Sequence, residues 1–312
     1  MNSCCEMTQA MCLAQVLVLL VVYSYGSTAI SWSHDAYYVN DMQIRQHSFW
    51  NRSRLLTKAN EENIIDHYAI ISSNTVTESI LLGGMATFDV YGVANLSNDK
   101  IIGSHICVIN QRGADFSGHN AVIAGWMVNP PYFGDSRTHF FTQWTADGYN
   151  STGCYDTACV GFVLVKNAPI NPGAILDPTD GQLKITVKIF RNKEDGNWWL
   201  YFGRDNQNLT AVGYWPMSIF NNLQYNANYI QWGGHTESTL DSPSPPMGNG
   251  HWPKQNAASV RDVRYVDFNG QSYVIEPWPV GLRAYVSHKK CYDVGYFLNE
   301  MFYYGGPGGC TK

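Results

Sequence analysis

The sequence has few charged residues and no basic cluster. Asp, Glu, Lys and Arg together make up 14% of the 312 residues, aromatic residues make up the same share, and the net charge is −5. Disordered chains combine high charge with few aromatic residues, and nucleic-acid-binding surfaces need clustered Lys and Arg. The composition therefore argues against disorder and predicts no nucleic-acid partner.

The common enzyme and metal-site motifs are also missing. There is no G-x-S-x-G elbow, no P-loop and no H-E-x-x-H. The nine histidines are scattered, and no two of them share a metal-binding spacing with a cysteine or an aspartate. The sequence thus predicts no metal and no cofactor.

No hydrophobic run is long enough to span a membrane. The apolar part of "MCLAQVLVLLVVYSYGSTA" is shorter than the roughly 20 residues that a spanning helix needs, and small residues follow it. We predict a signal peptide over residues 1–29. The mature protein is then secreted to the extracellular space or cell wall and is not membrane-anchored after signal removal.

Sequons and cysteines agree with export. The four N-x-S/T sequons, none with a central proline, predict glycosylation at Asn51, Asn95, Asn150 and Asn208.

Five cysteines follow the signal, and an oxidising compartment would pair four of them. In "GCYDTAC" the second cysteine pair of a metal knuckle is missing, which favours a small Cys154–Cys159 disulfide loop. Cys291 with Cys310 would then fasten the C-terminal segment. Cys107, in the strand-like "SHICVIN", is predicted to be a buried free thiol.

From about residue 66 the sequence is typical of β structure. "KITVKIF" (184–190) alternates apolar and polar residues, and "RYVDFNGQSYVI" is two strands around an Asn269-Gly270 hairpin turn. Many short strands separated by Gly/Pro turns, without helical periodicity, predict an antiparallel sandwich or barrel. We therefore read residues 66–312 as one all-β domain. Residues 30–65 are polar and have too few apolar residues to form a core.

Several distinctive sequence segments, occurring in a fixed order, indicate a family resemblance. "AGWMVNPPYFGDSRTHFFTQWTADGYNSTGCYDTACVGFV" is followed by "DGNWWLYFG", "VGYWPMSIF", "IQWGG", "MGNGHWP" and "FYYGGPGG". Together they closely resemble the neprosin domain of plant secreted glutamic peptidases. The resemblance implies a β-sandwich of two large bent sheets with a central cleft, and prolyl endopeptidase activity at acid pH in active members. It also makes residues 30–65 a short, vestigial propeptide-like segment.

Both catalytic glutamates that the resemblance implies are replaced here. The first lies just before Ala-Gly-Trp, where "NAVIAGW" has Ile123; the second follows Gln-Trp-Gly-Gly, where this chain has His235. No Asp or Glu occurs between Asp115 and Asp135 that a shifted alignment could use. We expect Ile123 and His235 to face each other across the cleft with no carboxylate pair nearby. The leading hypothesis is therefore a non-proteolytic pseudoenzyme.

Two alternatives remain open. The first is an active acid peptidase that uses His235 with Glu237, two residues further along the strand. The second is a binding module whose aromatic cleft holds proline-rich peptides or glycans. The residues expected to line that cleft are Trp126, Trp144, Trp232, Gly233, Gly234 and Glu237.

Overall fold

The computed structural model describes residues 64–73, 80–112, 118–178, 183–204, 207–254, 256–276 and 280–311. The predicted signal peptide, the segment over residues 30–63 and the sequon at Asn51 lie outside these ranges. The first strand begins at Ile64.

Two antiparallel sheets account for the described strands. The seven strands of the first sheet are β1 (Ile64–Ser73), β3 (Lys100–Gln111), β4 (His119–Val128), β5 (His139–Thr145), β6 (Cys154–Tyr155), β11 (Tyr229–Thr239) and β14 (Leu282–Val286). Their spatial order is β14-β1-β11-β3-β4-β5-β6. Strands that are far apart in sequence, such as β1 and β11, therefore become neighbours.

The second sheet has nine strands. They are β2 (Gly83–Asp89), β7 (Val163–Leu164), β8 (Lys184–Arg191), β9 (Trp198–Arg204), β10 (Thr210–Trp215), β12 (Ala258–Val266), β13 (Ser272–Val274), β15 (Asp293–Val294) and β16 (Phe302–Gly305). Eight of them follow the order β15-β16-β12-β2-β8-β9-β10-β7, and β13 pairs with β12. A short helix α1 (Pro130–Phe133) and a 3-10 turn (Met217–Ile219) are the helical elements described.

The predicted fold class is confirmed. Every strand pairing in the described residues is antiparallel. The Asn269-Gly270 turn joins β12 to β13, with Gly270 at φ 78°, a left-handed conformation that favours glycine.

Alternating residues of the two sheets form one apolar core between them. In β8 the side chains of Ile185, Val187 and Ile189 belong to this core, as the alternation in "KITVKIF" predicts, and Phe190 is buried as well. Trp126, Trp144 and Trp232 belong to this same inter-sheet core. Their predicted role as lining of a ligand cleft is therefore wrong, because the strand pleat turns these three side chains toward the second sheet.

The other face of the seven-stranded sheet carries a second apolar cluster, which we call the site face. All its fully buried members come from that sheet, and they are Tyr68, Ile70, Ile101, Cys107, Ile109, Ala121, Ile123, Met127, Phe141 and Tyr155. Since side chains alternate along a strand, these residues point away from the inter-sheet core. The titratable residues described in the next section lie on this site face.

Both predicted disulfides are confirmed. Cys154 is bonded to Cys159, and Cys291 is bonded to Cys310. Cys107 is a buried free thiol, also as predicted. Among the described residues, no helix has the length and apolar character needed to cross a membrane.

Candidate functional site

The two positions at which the resemblance implies glutamates lie on the same seven-stranded sheet, not on opposite sides of a cleft. Ile123 of β4 pairs with Cys107 of β3, while His235 of β11 pairs with Gly103 of the same strand. Four residues along β3 separate the two pairs, about 13 Å along the strands and about 10 Å across them. The expectation that Ile123 and His235 face each other is therefore wrong. A sequence does not reveal strand order, and here β3 runs between β4 and β11.

Ile123 is part of the apolar packing of the site face. Its side chain is 4% exposed, and its cluster includes Cys107, Ala121 and Tyr155. Gln143, its partner on β5, is fully buried. A saturated side chain in this setting neither accepts nor donates a proton, so this position supplies no acid–base chemistry.

His235 lies between two carboxyl groups. Its Nε2 is 3.2 Å from Oδ1 of Asp66 and 3.7 Å from Oε1 of Glu237. Asp66 and Glu237 are directly paired in the β1–β11 register. The exposed fractions of the three side chains are only 5%, 1% and 1% for Asp66, His235 and Glu237.

The expectation of no carboxylate pair beside His235 is therefore wrong. The second carboxylate comes from Asp66, at the edge of the predicted domain and 169 residues away in sequence. The position of β1 next to β11 is a property of the folded sheet that a sequence alone does not show. The available signal was an acidic residue within the largely apolar run "IIDHYAII" (64–71). An acid on a strand that proves to be buried is uncommon enough to be a candidate site residue.

Burial determines the protonation of the imidazole. It lowers the pKa of His235 to about 3, so the ring is neutral over most of the pH range. The neutral tautomer that carries its proton on Nε2 donates to Oδ1 of Asp66. Burial also lowers the pKa of His105 to about 3, and charge repulsion from His235 contributes. The two rings lie 6.1 Å apart.

Tyr68 forms one side of the cluster. Its ring centroid is 4.8 Å from that of His235, and the two residues are directly paired across β1 and β11. Burial raises the pKa of Tyr68 well above its usual value, and the negative charges of Asp66 and Glu237 raise it further. The phenol is thus a neutral packing group rather than a proton acceptor.

The paired glycines before His235 are required by the backbone. Gly233 has φ 142°, and a Cβ there would lie 2.5 Å from the carbonyl oxygen of Ala69. A Cβ at Gly234 would collide with the ring of Tyr304, on the inter-sheet side. Gly233 thus allows the close approach of the neighbouring strand β1, and Gly234 allows the close approach of Tyr304 from the second sheet. Their role as cleft lining stays a prediction.

Two groups among the described residues have donor atoms close enough to hold a metal ion. One is His288 with Cys291 and Cys310, but these two cysteines are bonded to each other. The other is Asp66, His235 and Glu237, whose donor atoms all lie within 4.8 Å of one another. Of the predicted site residues, the fold thus brings together His235 and Glu237, adds Asp66, and leaves Ile123 and the three tryptophans elsewhere.

These features define an all-β sandwich protein with an imidazole and two carboxyl groups buried on one face of one sheet. The chain belongs to the neprosin family: the model of the family described as Neprosin matches residues 100–307. The matched range runs from the start of β3 to just beyond β16 and includes Ile123, His235 and Glu237, whereas Asp66 precedes it.

One solved structure has a weak overall similarity to this chain. It is described as Scytalido-glutamic peptidase with a peptide-based transition-state analogue. The sequences are 10% identical, and the TM-score is 0.39 over 78% of this chain and 97% of that one.

Proposed function

We propose that this chain is a neprosin-family protein that does not cleave peptides by the two-glutamate mechanism its family resemblance implies. The single observation that carries the proposal is the environment of position 123, where an isoleucine is buried in an apolar cluster. Amide hydrolysis without a metal or a covalent nucleophile needs one group to deprotonate water and another to protonate the leaving amine. Ile123 can do neither.

The second position supports the same conclusion. His235 has its Nε2 directed at Asp66, so its side chain is already held in a hydrogen bond. The two positions are also about 13 Å apart along the strands, too far for their side chains to share one water directly. The cluster around His235 therefore differs in composition and geometry from a pair of glutamates at positions 123 and 235.

Purified mature protein is expected to leave proline-containing peptides intact at every pH between about 2 and 8, the range in which carboxyl and imidazole groups titrate. Fluorogenic peptides with proline at the cleavage site measure this. Turnover that copurifies with the protein and resists inhibitors of contaminating proteases would contradict the proposal.

One observation favours a second candidate, an acid hydrolase that uses a different pair of groups. Asp66 and Glu237 are paired on neighbouring strands, and their donor atoms lie within 4.8 Å of each other beside His235. In a pair of neighbouring carboxyl groups, one can act as base while the other acts as acid, as in catalytic carboxyl pairs. If this candidate is correct, turnover in the same assay should disappear in the Asp66→Asn variant and also in the separate Glu237→Gln variant. Turnover that survives both substitutions excludes this candidate.

We further propose that the protein is secreted and glycosylated. Two disulfides are typical of an oxidising compartment, and the three described sequon asparagines, Asn95, Asn150 and Asn208, are all exposed. Expressed through a eukaryotic secretory pathway, the protein should lose apparent mass on treatment with an N-glycosidase. Replacing each of these asparagines by Gln should remove one step of that shift. An unchanged mobility in all variants would refute glycosylation at these sites.

A further inference from the structure

The Asp66, His235 and Glu237 cluster combines one imidazole with two carboxyl groups. Imidazole is a common ligand of zinc and other first-row transition metals, and carboxylate oxygens complete many of their sites. Asp66 and Glu237 are opposite each other in the β1–β11 ladder, and His235 lies two residues before Glu237 on the same face. All three donors therefore project from two hydrogen-bonded strands, which hold ligands more rigidly than loops do.

The separations between the donor atoms fit a single ion. Metal–nitrogen and metal–oxygen bonds of roughly 2.0–2.2 Å place neighbouring ligand atoms about 3.0–3.5 Å apart at octahedral or tetrahedral angles. Here Nε2 of His235 is 3.2 Å from Oδ1 of Asp66 and 3.7 Å from Oε1 of Glu237. The donor atoms of Asp66 and Glu237 lie within 4.8 Å of each other, so a bound ion would draw these two carboxyl groups together wherever they are more than about 3.5 Å apart.

The surroundings of the cluster resemble those of metal sites more than those of a surface ion pair. All three side chains are at least 95% buried. Buried charged groups are normally paired or coordinate metals. The ring of Tyr68 packs against His235 and restricts the orientation of the imidazole.

We propose that Asp66, His235 and Glu237 form a binding site for one divalent first-row transition-metal ion, of which zinc is the best match. The mixed nitrogen and oxygen donors favour such ions over Mg²⁺, which prefers oxygen ligands and retains several waters. This inference goes beyond the proposed loss of glutamate-pair hydrolysis and does not depend on it. The histidine that replaces the implied glutamate supplies the nitrogen ligand.

The test is Zn²⁺ binding by the intact mature protein after treatment with a chelator. Equilibrium dialysis against ZnCl₂, with metal analysis of the dialysed protein, should give one bound Zn²⁺ per chain, and MgCl₂ should give none. In separate His235→Gln, Asp66→Asn and Glu237→Gln variants we expect affinity for that Zn²⁺ to fall at least about 100-fold, since each removes a direct ligand and loss of an outer partner alone costs about 10–100-fold.

Two control variants separate this site from other histidines. His105→Gln alters a buried imidazole on the same face that is not in the cluster, and His251→Gln alters an exposed one. Both should bind Zn²⁺ within a few-fold of wild type. Circular dichroism establishes which variants are folded.

A second measurement needs only the wild type, in case the ligand variants do not fold. X-ray absorption at the zinc edge should show one imidazole nitrogen and otherwise oxygen ligands, without sulfur. Absence of stoichiometric Zn²⁺ in the wild type, unchanged affinity in folded cluster variants, or sulfur in the coordination shell would each overturn the proposal.

Discussion

Replacing His235 by Glu is expected to destabilise the protein at neutral pH by about 4 kcal/mol relative to His235→Gln. The substitution would place a third carboxyl group between Asp66 and Glu237, where the present side chain is 1% exposed. Burial and like charge both raise the pKa of such a group. An exposed glutamate has a pKa near 4.3, and holding the carboxyl group protonated at a higher pH costs about 1.4 kcal/mol for each pH unit above that pKa. At pH 7 this cost is about 4 kcal/mol.

The effect should depend on pH with a defined sign. Because the folded-state pKa of the introduced carboxyl is raised, the stability of His235→Glu is fully present below pH 4 and falls as the pH rises toward 7. His235→Gln, which keeps a polar side chain without a charge, should lack that dependence. Urea unfolding of both variants at pH 4 and pH 7 measures it. Equal stability of the two variants at pH 7 would mean that the site still accommodates a glutamate.

Replacing Trp126 by Ala is expected to destabilise the protein by about 3–5 kcal/mol, the usual cost of truncating a buried aromatic side chain. Trp126 is fully buried between the sheets, and its Nε1 donates a hydrogen bond to the carbonyl oxygen of Asp89 at 2.9 Å. Truncation leaves both a cavity and a buried carbonyl oxygen that has lost this donor.

Trp252 provides the matched control. Its side chain is 40% exposed, so Trp252→Ala should change the free energy of unfolding by less than about 0.5 kcal/mol, as for most surface substitutions. Denaturant titration of both variants checks the pair. A stability loss of less than 1 kcal/mol for Trp126→Ala would instead favour the sequence-based view of Trp126 as cleft lining.

Local signals in the sequence were sufficient for several parts of the structure. The alternation in "KITVKIF" identified the buried side of β8, and Asn269-Gly270 identified the hairpin between β12 and β13. The disulfide loop at Cys154 could be predicted because its two cysteines are only five residues apart. In each case the structural feature depends on residues that are close together in the chain, so the local sequence pattern is enough to predict it.

The composition of the candidate site could not be predicted in the same way. Glu237 was recognised because it follows His235 within one strand. Asp66 was missed because its approach depends on the pairing of β1 with β11, which is a property of the whole sheet. The three tryptophans were assigned to the wrong face for a related reason: alternation shows which residues share a face, but not which face meets the second sheet.

The residues at positions 123 and 235 are consistent with their surroundings. A glutamate at position 235 would meet two other carboxyl groups, whereas a histidine at this position can donate a hydrogen bond to one of them. An isoleucine at position 123 adds to the apolar cluster instead of burying a charge. We propose that a packing residue and an imidazole able to bind a metal occupy these two positions in place of the two acid–base groups that the family resemblance implies.

The most direct test of that proposal is a search for cleavage that presupposes no substrate. A complex peptide library is incubated with the pure mature protein at several pH values between about 2 and 8, the carboxyl and imidazole titration range, and new peptide ends are identified by mass spectrometry. We predict the same ends as in a sample without the protein. New ends with a consistent residue preference, lost in Glu237→Gln, would contradict the account.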